Sequence, residues 1–181
     1  MTDQEKIIKN LSQTWPMPSK LSPVVIVGTG GIVKDAHLPA YKKAGFEVSG
    51  LYDVDKDKAK SLANEYGIKK VFENLDEVFQ NTNCIFDLAL PPANLLEVVK
   101  KLPENTYAVF QKPLGRSLEE GNKIREICHK KNIKACMNFQ LRFSPISLPV
   151  YEAIKKNILG ELVELEVFVN VHTPWELWPF L

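Results

Sequence analysis

Six short apolar runs, most of them rich in β-branched residues, constrain the fold of this chain more than any other feature. The runs span residues 24–27, 46–53, 68–72, 84–90, 107–110 and 133–139. They are nearly continuously apolar rather than alternating, which is typical of parallel strands covered on both faces. Amphipathic segments separate them. This repeated alternation predicts an α/β fold with right-handed crossovers and a doubly wound parallel sheet.

The segments between the runs carry helix-capping residues. Asp55 can cap a helix that ends at Gly67, and Pro92 suits the first turn of another helix. Ser117 and Glu120 have the spacing of a capping box at the start of a third. The helices of the predicted fold therefore have defined beginnings and ends.

The pattern of apolar and polar residues divides the chain into three parts. Residues 1–22 form a polar N-terminal extension with a short helix over residues 7–15. Residues 23–143 contain all of the strand–helix alternation and form the first predicted domain. Residues 144–181 look like the beginning of a second α/β domain.

That second part combines a helix with a strand. We predict the helix over residues 144–159 and the strand over residues 161–171, where apolar and polar residues alternate. The strand has nothing to pair with in this sequence, so we expect the second domain to be truncated. Trp175 and Trp178 beyond it could stack on a sugar or pack in a core.

Composition and charge argue against several classes of protein. The net charge is +1 without a basic stripe, so nothing predicts nucleic-acid binding. No apolar run approaches the roughly 18–20 residues of a membrane span, and Asp3 and Glu5 stand where a signal peptide would carry positive charge. The three cysteines match no metal-ligand spacing, and Cys84 and Cys136 lie in apolar runs. We therefore expect a cytoplasmic protein with buried free thiols and no metal site.

A glycine-rich turn directly follows the first apolar run. Gly28 allows a tight turn, Gly30 allows the backbone to approach a pyrophosphate, and the helix that begins after Gly31 and Ile32 offers its N–H groups to the anion. The third fingerprint position is Val33 instead of glycine or alanine, so helix and strand pack less closely there. The pattern predicts a dinucleotide-binding loop.

Asp53 ends the second run, twenty residues after Val33. A carboxylate at that point can accept both ribose hydroxyls of an adenosine and would repel a 2′-phosphate. This favours NAD as the cofactor, with NADP as the alternative. A strand-end cap would explain Asp53 without any ligand.

Leu90, Pro91 and Pro92 follow the fourth run. In open α/β sheets, ligands bind beyond the carboxyl ends of the strands where the strand order reverses, so this loop should border the cofactor. The two prolines could also do no more than start a helix.

Gln111, Lys112 and Pro113 stand at the end of the fifth run. A lysine there would lie near a nicotinamide, where it could assist deprotonation of a substrate hydroxyl or orient the ring. A solvated strand-end charge explains Lys112 equally well. Pro113 also makes a cis peptide bond accessible.

Taken in order, these motifs resemble the glucose–fructose oxidoreductase, inositol dehydrogenase and MocA (Gfo/Idh/MocA) family of nicotinamide-dependent oxidoreductases. The resemblance covers residues 23 to about 171, and its stretches are VVIVGTGGIVKDAHLPAY, GLYDVDKDKAKSLANEYG, LALPPANLLEVV, VFQKPLG, NFQLRFSP and LGELVELEVF. It implies a Rossmann domain followed by an open-faced substrate domain, and hydride transfer between NAD(P) and a sugar, polyol or derivative. It also implies a homo-oligomer where a complete second domain is supplied.

The resemblance assigns individual residues. Lys112 matches the lysine of the family's Glu-Lys-Pro motif, which implies a catalytic residue at the nicotinamide and substrate. Gln111 replaces the glutamate of that motif, so any charge pairing of the glutamate is lost, and Arg142 matches an arginine near the cofactor. His37 matches a histidine near the cofactor edge, although a surface or capping role fits it equally well.

One departure concerns the family's Asp-x-x-x-His active-site pair, which lies in the second domain. No aspartate follows Asp87 in this sequence. The alternative hypothesis is therefore a truncated, non-catalytic dinucleotide-binding module or fragment.

Overall fold

The computed structural model describes residues 3–170 and 172. It contains two compact units, one formed by residues 16–141 and the other by the described parts of residues 1–15 and 142–181. Trp175 and Trp178 lie outside the described residues.

Five parallel strands form one sheet in the unit of residues 16–141. The strands are β1 (Val24–Val27), β2 (Val48–Tyr52), β3 (Ile85–Leu88), β4 (Tyr107–Phe110) and β5 (Lys134–Met137). Their order is β2-β1-β3-β4-β5, and every pairing is parallel. The chain therefore winds outward from β1 in one direction and then from β3 in the other, which confirms the predicted doubly wound sheet.

The described residues form seven α-helices and two helical turns of other types, and those between residues 33 and 130 cover both faces of the sheet. They are α1 (Asp3–Lys9), a π-helical turn (Val33–His37) that continues as α2 (Leu38–Ala44), α3 (Lys56–Tyr66), α4 (Leu75–Phe79), α5 (Pro92–Lys101), α6 (Leu118–Lys130), a 3₁₀ turn (Gln140–Phe143) and α7 (Ser147–Lys155). Asp55 caps α3 by accepting a 3.1 Å hydrogen bond from the backbone N–H of Lys58, and Gly67 ends it in the left-handed conformation. Pro92 opens α5 as predicted.

The prediction of a full strand over residues 68–72 is wrong. The segment makes one isolated parallel bridge, between Val71 and Leu51 of β2. It runs at the edge of the sheet, and its middle residues Lys69 and Lys70 are exposed. Because the two exposed lysines bury no apolar surface, the packing of the segment comes from Ile68, Val71 and Phe72.

The terminal segments differ most from the predictions. The N-terminal helix is Asp3–Lys9 instead of residues 7–15, and the helix predicted over residues 144–159 is shortened to Ser147–Lys155. Residues 161–170 form no strand, and Val163 is 95% exposed there. A strand takes its stability from hydrogen bonds to a neighbour and from a covered apolar face, and alternation of residue types supplies neither.

Two apolar layers sandwich the sheet. One contains Phe86 and Leu88 of β3 with α5 and α6, and the other contains Val24 and Ile26 of β1 with α2 and α3. Among the described residues, no helix combines the length and the apolar character that crossing a bilayer requires.

The cysteines follow the sheet geometry only in part. Cys84 and Cys128 are buried, and burial raises the pKa of the Cys84 thiol to about 11. Cys136 is exposed, so the prediction that it is buried is wrong. It lies on β5, the edge strand, whose residues Lys134–Cys136 are all exposed.

The capping box predicted at α6 is half formed. The Ser117 hydroxyl accepts a 3.2 Å hydrogen bond from the backbone N–H of Glu120. The Glu120 carboxylate, however, accepts from the backbone N–H of Arg116, at 2.5 Å, and binds the Arg116 guanidinium as well. The side chain of Glu120 thus binds Arg116, the residue before the N-cap, and leaves the backbone N–H of Ser117 without the bond that a full capping box would supply.

We expect Ser117→Ala to lower the free energy of unfolding by about 1 kcal/mol, since it leaves an N–H group at the start of α6 without its acceptor. Urea denaturation followed by circular dichroism measures the change. Ser61→Ala is the matched control because Ser61 is exposed inside α3, where alanine favours the helix. Equal losses in the two variants would contradict the capping role.

Candidate functional site

The carboxyl ends of β1, β2 and β3 converge on one point. The Gly28 N–H donates to the carbonyl of Tyr52 at 2.7 Å, and the Ala89 N–H donates to the carbonyl of Val27 at 2.9 Å. The strand order reverses between β1 and β3, and in open α/β sheets ligands bind where the order reverses. The structure therefore brings the glycine loop, Asp53 and Leu90 together at the predicted position.

The glycines of the loop serve different purposes. Gly28 has φ +99°, and a Cβ there would lie 2.4 Å from the carbonyl oxygen of Ala89, so the fold itself requires glycine. A Cβ on Gly30 would meet no heavy atom of the described residues within 4 Å, and on Gly31 only Asp35 Oδ2 at 3.8 Å. The open space over Gly30 and Gly31 fits the approach of a pyrophosphate to the backbone.

A helix begins directly at this loop. The N–H groups of Val33 and Lys34 donate to the carbonyl of Gly30, at 3.0 and 3.3 Å, and Ile32 is exposed at the first turn. Val33, at the third fingerprint position, is fully buried, and the helix is π-helical from Val33 to His37. A helix start of this kind directs its free N–H groups and its positive dipole end at a bound anion.

Asp53 ties the glycine loop to the end of β2. Its Oδ2 accepts from the Thr29 N–H at 2.6 Å and from the Thr29 hydroxyl at 2.7 Å, while Oδ1 accepts from the Asp55 N–H at 3.0 Å. Because a carboxylate oxygen accepts about two hydrogen bonds, Oδ1 retains room for one further donor. Asp53 is thus both a cap of the loop and a group with spare acceptor capacity.

These hydrogen bonds determine the ionisation of Asp53. Partial burial raises the pKa of the carboxyl, but the hydrogen bonds from Asp55 and Thr29 outweigh it, so the pKa lies below its usual value. A carboxyl with a depressed folded-state pKa contributes stability above its unfolded pKa of about 3.9. That contribution is lost as the pH falls through the folded-state pKa.

We expect Asp53→Asn to remove this pH dependence. The difference in unfolding free energy between wild type and variant should be constant near neutral pH. It should shrink as the pH falls from about 4, where the carboxyl of the unfolded wild type takes up its proton, through the lower pKa of the folded state. Urea titrations from pH 7 to pH 3 measure it. The exposed Asp76→Asn serves as control, and it should show a small difference at every pH. Parallel curves for wild type and Asp53→Asn would contradict the linkage.

A buried polar network lies beside this loop, and its central residue belongs to none of the sequence motifs. Asp87 is fully buried in β3. Its Oδ2 lies 2.7 Å from Nδ1 of His37 and accepts from the Tyr41 hydroxyl at 2.9 Å. Burial and then the Asp87 charge raise the pKa of Tyr41 well above its usual value, so this hydroxyl keeps its proton. The available signal was an aspartate inside an otherwise apolar strand.

The same network corrects the expectation for His37. The side chain is 7% exposed, so it neither lies at the surface nor caps a helix with its side chain. Its Nε2 is buried without a hydrogen-bond partner among the described residues. His37 therefore acts through Nδ1, toward Asp87.

Comparison with known families identifies the chain. The model of the oxidoreductase family with an NAD-binding Rossmann fold, GFO_IDH_MocA, matches residues 23–139, which is more than half of the chain. The chain belongs to this family. The sequence motifs by themselves indicate the same family.

Individual relatives cover this Gfo/Idh/MocA chain well but are much longer. Glucose-6-phosphate 3-dehydrogenase of Bacillus subtilis is 25% identical over 148 residues, which are 81% of this chain and 42% of the relative. Inositol 2-dehydrogenase/D-chiro-inositol 3-dehydrogenase of Shouchella clausii is 26% identical over 145 residues, 76% of this chain and 41% of the relative. The chain thus spans less than half the length of these relatives.

A solved structure has the same fold. The scyllo-inositol dehydrogenase of Lactobacillus casei, crystallised with bound NAD(H) and scyllo-inositol, superposes with a TM-score of 0.66 at 18% identity. The match covers 78% of this chain and 43% of that one. At this level of identity the likeness concerns the architecture of the Rossmann domain.

In this Gfo/Idh/MocA chain, Lys112 follows the end of β4 and is exposed, and its bond to Pro113 is cis. Gln111 beside it donates from Nε2 to Asp87 Oδ1 at 3.3 Å and accepts at Oε1 from Asn138 Nδ2 at 3.2 Å. Gln111 carries no charge, so the charge pairing of a glutamate is lost at this position, as expected. Its amide binds a carboxylate of the neighbouring strand by a hydrogen bond.

The remaining predicted residues lie around these groups. Leu90 is half-buried and its side chain comes within 3.4 Å of the position of a Cβ on Gly28, while Pro91 is exposed. Pro92 and Pro113 border an open cavity of about 730 Å³ whose other walls come from residues 114–118 and α6. Arg142 is exposed and belongs to the other compact unit, so its role near the cofactor stays a prediction. The described residues contain no group of three or more His, Cys, Asp or Glu that could hold a metal ion.

Proposed function

We propose that this chain binds NAD and serves hydride transfer between that cofactor and a hydroxyl-bearing carbon of a sugar, polyol or derivative. The observation that carries the proposal is the open space over Gly30 and Gly31, next to a helix start and to the Asp53 carboxylate. Nothing in the described fold requires glycine at these two positions. A ligand that approaches the backbone explains both.

NAD, when bound, supplies or accepts the hydride. The loop of Gly28, Gly30, Gly31 and Ile32 would hold the pyrophosphate through its backbone N–H groups and the helix dipole. Asp53 would accept a ribose hydroxyl at the free position of Oδ1. Leu90, Pro91 and Pro92 would border the cofactor from β3, with Gln111 at the end of β4 and Arg142 as further contacts.

Lys112 is the residue we assign to the reacting end. It is exposed at the carboxyl end of β4, beyond the sheet edge where ligands of this fold bind. An ammonium there can donate a hydrogen bond to a substrate oxygen and stabilise negative charge that develops on that oxygen during hydride transfer. The relatives named for glucose 6-phosphate and inositol support the sugar or polyol class.

The choice of NAD over NADP rests on the charge of Asp53. The carboxylate is held in place by Thr29 and Asp55, and its depressed pKa keeps it ionised near neutral pH. A 2′-phosphate at that position would add a second negative charge beside it. Like charges at such a distance disfavour binding.

The test is a calorimetric titration of the chain with NADH and with NADPH. We expect saturable NADH binding and an NADPH affinity at least about 10-fold lower, which corresponds to about 1.4 kcal/mol of charge repulsion. Asp53→Ser should reduce the ratio by removing the charge, whereas the exposed Asp76→Asn should leave it unchanged. Absence of NADH saturation at millimolar concentrations would refute the proposed function, and equal affinities would refute the role of Asp53.

A further inference from the structure

Asp87 places a carboxylate where its burial is energetically unfavourable. It lies within β3, between β1 and β4, in register with Ile26 and Val109, and it is fully buried. A carboxylate removed from water is stabilised only by hydrogen bonds and opposite charges, and an apolar side chain would fill the same space without that cost. Packing alone therefore does not account for Asp87.

The two oxygens of Asp87 face different elements. Oδ2 lies 2.7 Å from Nδ1 of His37 and accepts a hydrogen bond from the Tyr41 hydroxyl at 2.9 Å. These two residues are four apart, from the π-helical turn and α2, so they present neighbouring side chains to the sheet. Two contacts to one oxygen fix the orientation of the carboxylate, and Oδ1 is left directed at Gln111.

Gln111 is held at both ends of its amide. Nε2 donates to Asp87 Oδ1, and Oε1 accepts from Asn138, which follows β5. The next residue is Lys112, a flexible side chain with an exposed head. Its reach is determined by the backbone from which it starts, and that backbone is anchored through Gln111.

We propose that Asp87 is a positioning residue, which holds Gln111 and thereby directs Lys112 toward the nicotinamide end of the dinucleotide. This role rests on the proposed function, because it presupposes a nicotinamide beyond the end of β4. It connects the helix after the glycine loop to the strand end that carries the lysine. A positioning role differs from a general stabilising role because its loss affects binding of the nicotinamide half of the cofactor and leaves binding of the adenosine half unchanged.

Binding of two ligands distinguishes a positioning role of Asp87 from a purely structural one. NADH contains both halves of the cofactor, whereas ADP-ribose has the adenosine and pyrophosphate but no nicotinamide. We expect Asp87→Asn, which removes a charge-assisted hydrogen bond, to weaken NADH binding about 10-fold and to change ADP-ribose binding less than about 2-fold. Isothermal titration calorimetry with each ligand measures both affinities, and circular dichroism verifies the fold.

A double variant tests whether the carboxylate is the active feature. In Asp87→Asn/Gln111→Glu the carboxylate moves to the other partner of the same hydrogen bond, so we expect most of the NADH affinity to return. Gln111→Glu alone places two carboxylates in contact and should weaken NADH binding. Tyr41→Phe removes one of the two contacts to Oδ2 and should have a smaller effect than Asp87→Asn. The exposed Asp76→Asn is the control for removal of an aspartate charge.

The affinities of these variants for NADH and ADP-ribose test the positioning role of Asp87. A selective loss of NADH affinity in Asp87→Asn, with recovery in the double variant, supports the positioning role. Equal losses for NADH and ADP-ribose would show a structural role and overturn the proposal, as would no loss for either ligand. Wild-type protein that binds neither ligand would refute the proposed function itself, and the role of Asp87 with it.

Discussion

Gly28→Ala should lower the free energy of unfolding by about 3 kcal/mol. Two costs combine, a left-handed backbone conformation of about 1–2 kcal/mol and a steric overlap of about 1–3 kcal/mol. Gly28 has φ +99°, and the added Cβ would lie 2.4 Å from the carbonyl oxygen of Ala89. That carbonyl belongs to backbone that is hydrogen-bonded to Val27, so it cannot move aside without disturbing the β1–β3 pairing.

Gly30→Ala is the matched comparison, two residues along the same loop. Its Cβ would meet no heavy atom of the described residues within 4 Å, so we expect a change in stability within about 0.5 kcal/mol. NADH affinity, in contrast, should fall about 10-fold or more because the methyl group occupies the approach of the pyrophosphate. Urea denaturation and calorimetric NADH titration measure the two effects separately. Equal destabilisation by the two alanines would argue against a ligand-related reason for Gly30.

His37→Leu is the second substitution with a large expected effect, a loss of about 3 kcal/mol in the free energy of unfolding. The variant keeps the side-chain volume roughly constant but removes the partner of Asp87 Oδ2. His37 is 7% exposed and Asp87 fully buried, so solvent cannot replace the missing contact. The remaining donors, Tyr41 and Gln111, leave the buried carboxylate only partly satisfied.

A double-mutant cycle tests that explanation. His37→Leu/Asp87→Asn removes the charge together with its partner, so it should cost less than His37→Leu alone, and urea denaturation of all four proteins gives the coupling energy. A neutral amide in the same place can still accept from Tyr41. If the losses of the two single variants simply add in the double variant, lost packing of the imidazole, and not the unpaired charge, is the cause.

Local signals in the sequence were sufficient for most of the fold. β1 and β4 have the predicted bounds, Asp55 and Gly67 delimit α3, and Pro92 opens α5. Each of these features depends on a few adjacent residues: apolar runs, a capping oxygen, a residue that tolerates positive φ, or a proline. Such features can be predicted without knowledge of distant contacts.

The errors arose where a distant partner decides the outcome. Residues 68–72 and 161–170 have apolar residues suited to strands, but the first makes one bridge and the second none among the described residues. Cys136 is apolar and lies in a strand, yet the edge position leaves it exposed. Strand formation and burial depend on neighbours that the residue pattern does not name.

For the candidate site, the sequence by itself determined the glycine loop, Asp53 and the lysine at the end of β4, because ligand-binding residues of an α/β sheet follow strand ends and strand ends are local. Only the tertiary structure showed that the Ala89 carbonyl is the group that faces Gly28, and that Asp53 is already bound to Thr29. It alone joined His37, Asp87 and Gln111, which are far apart in the chain. The pairing of a buried charge is decided by which groups the packed fold brings within hydrogen-bond distance, and sequence spacing carries no record of that distance.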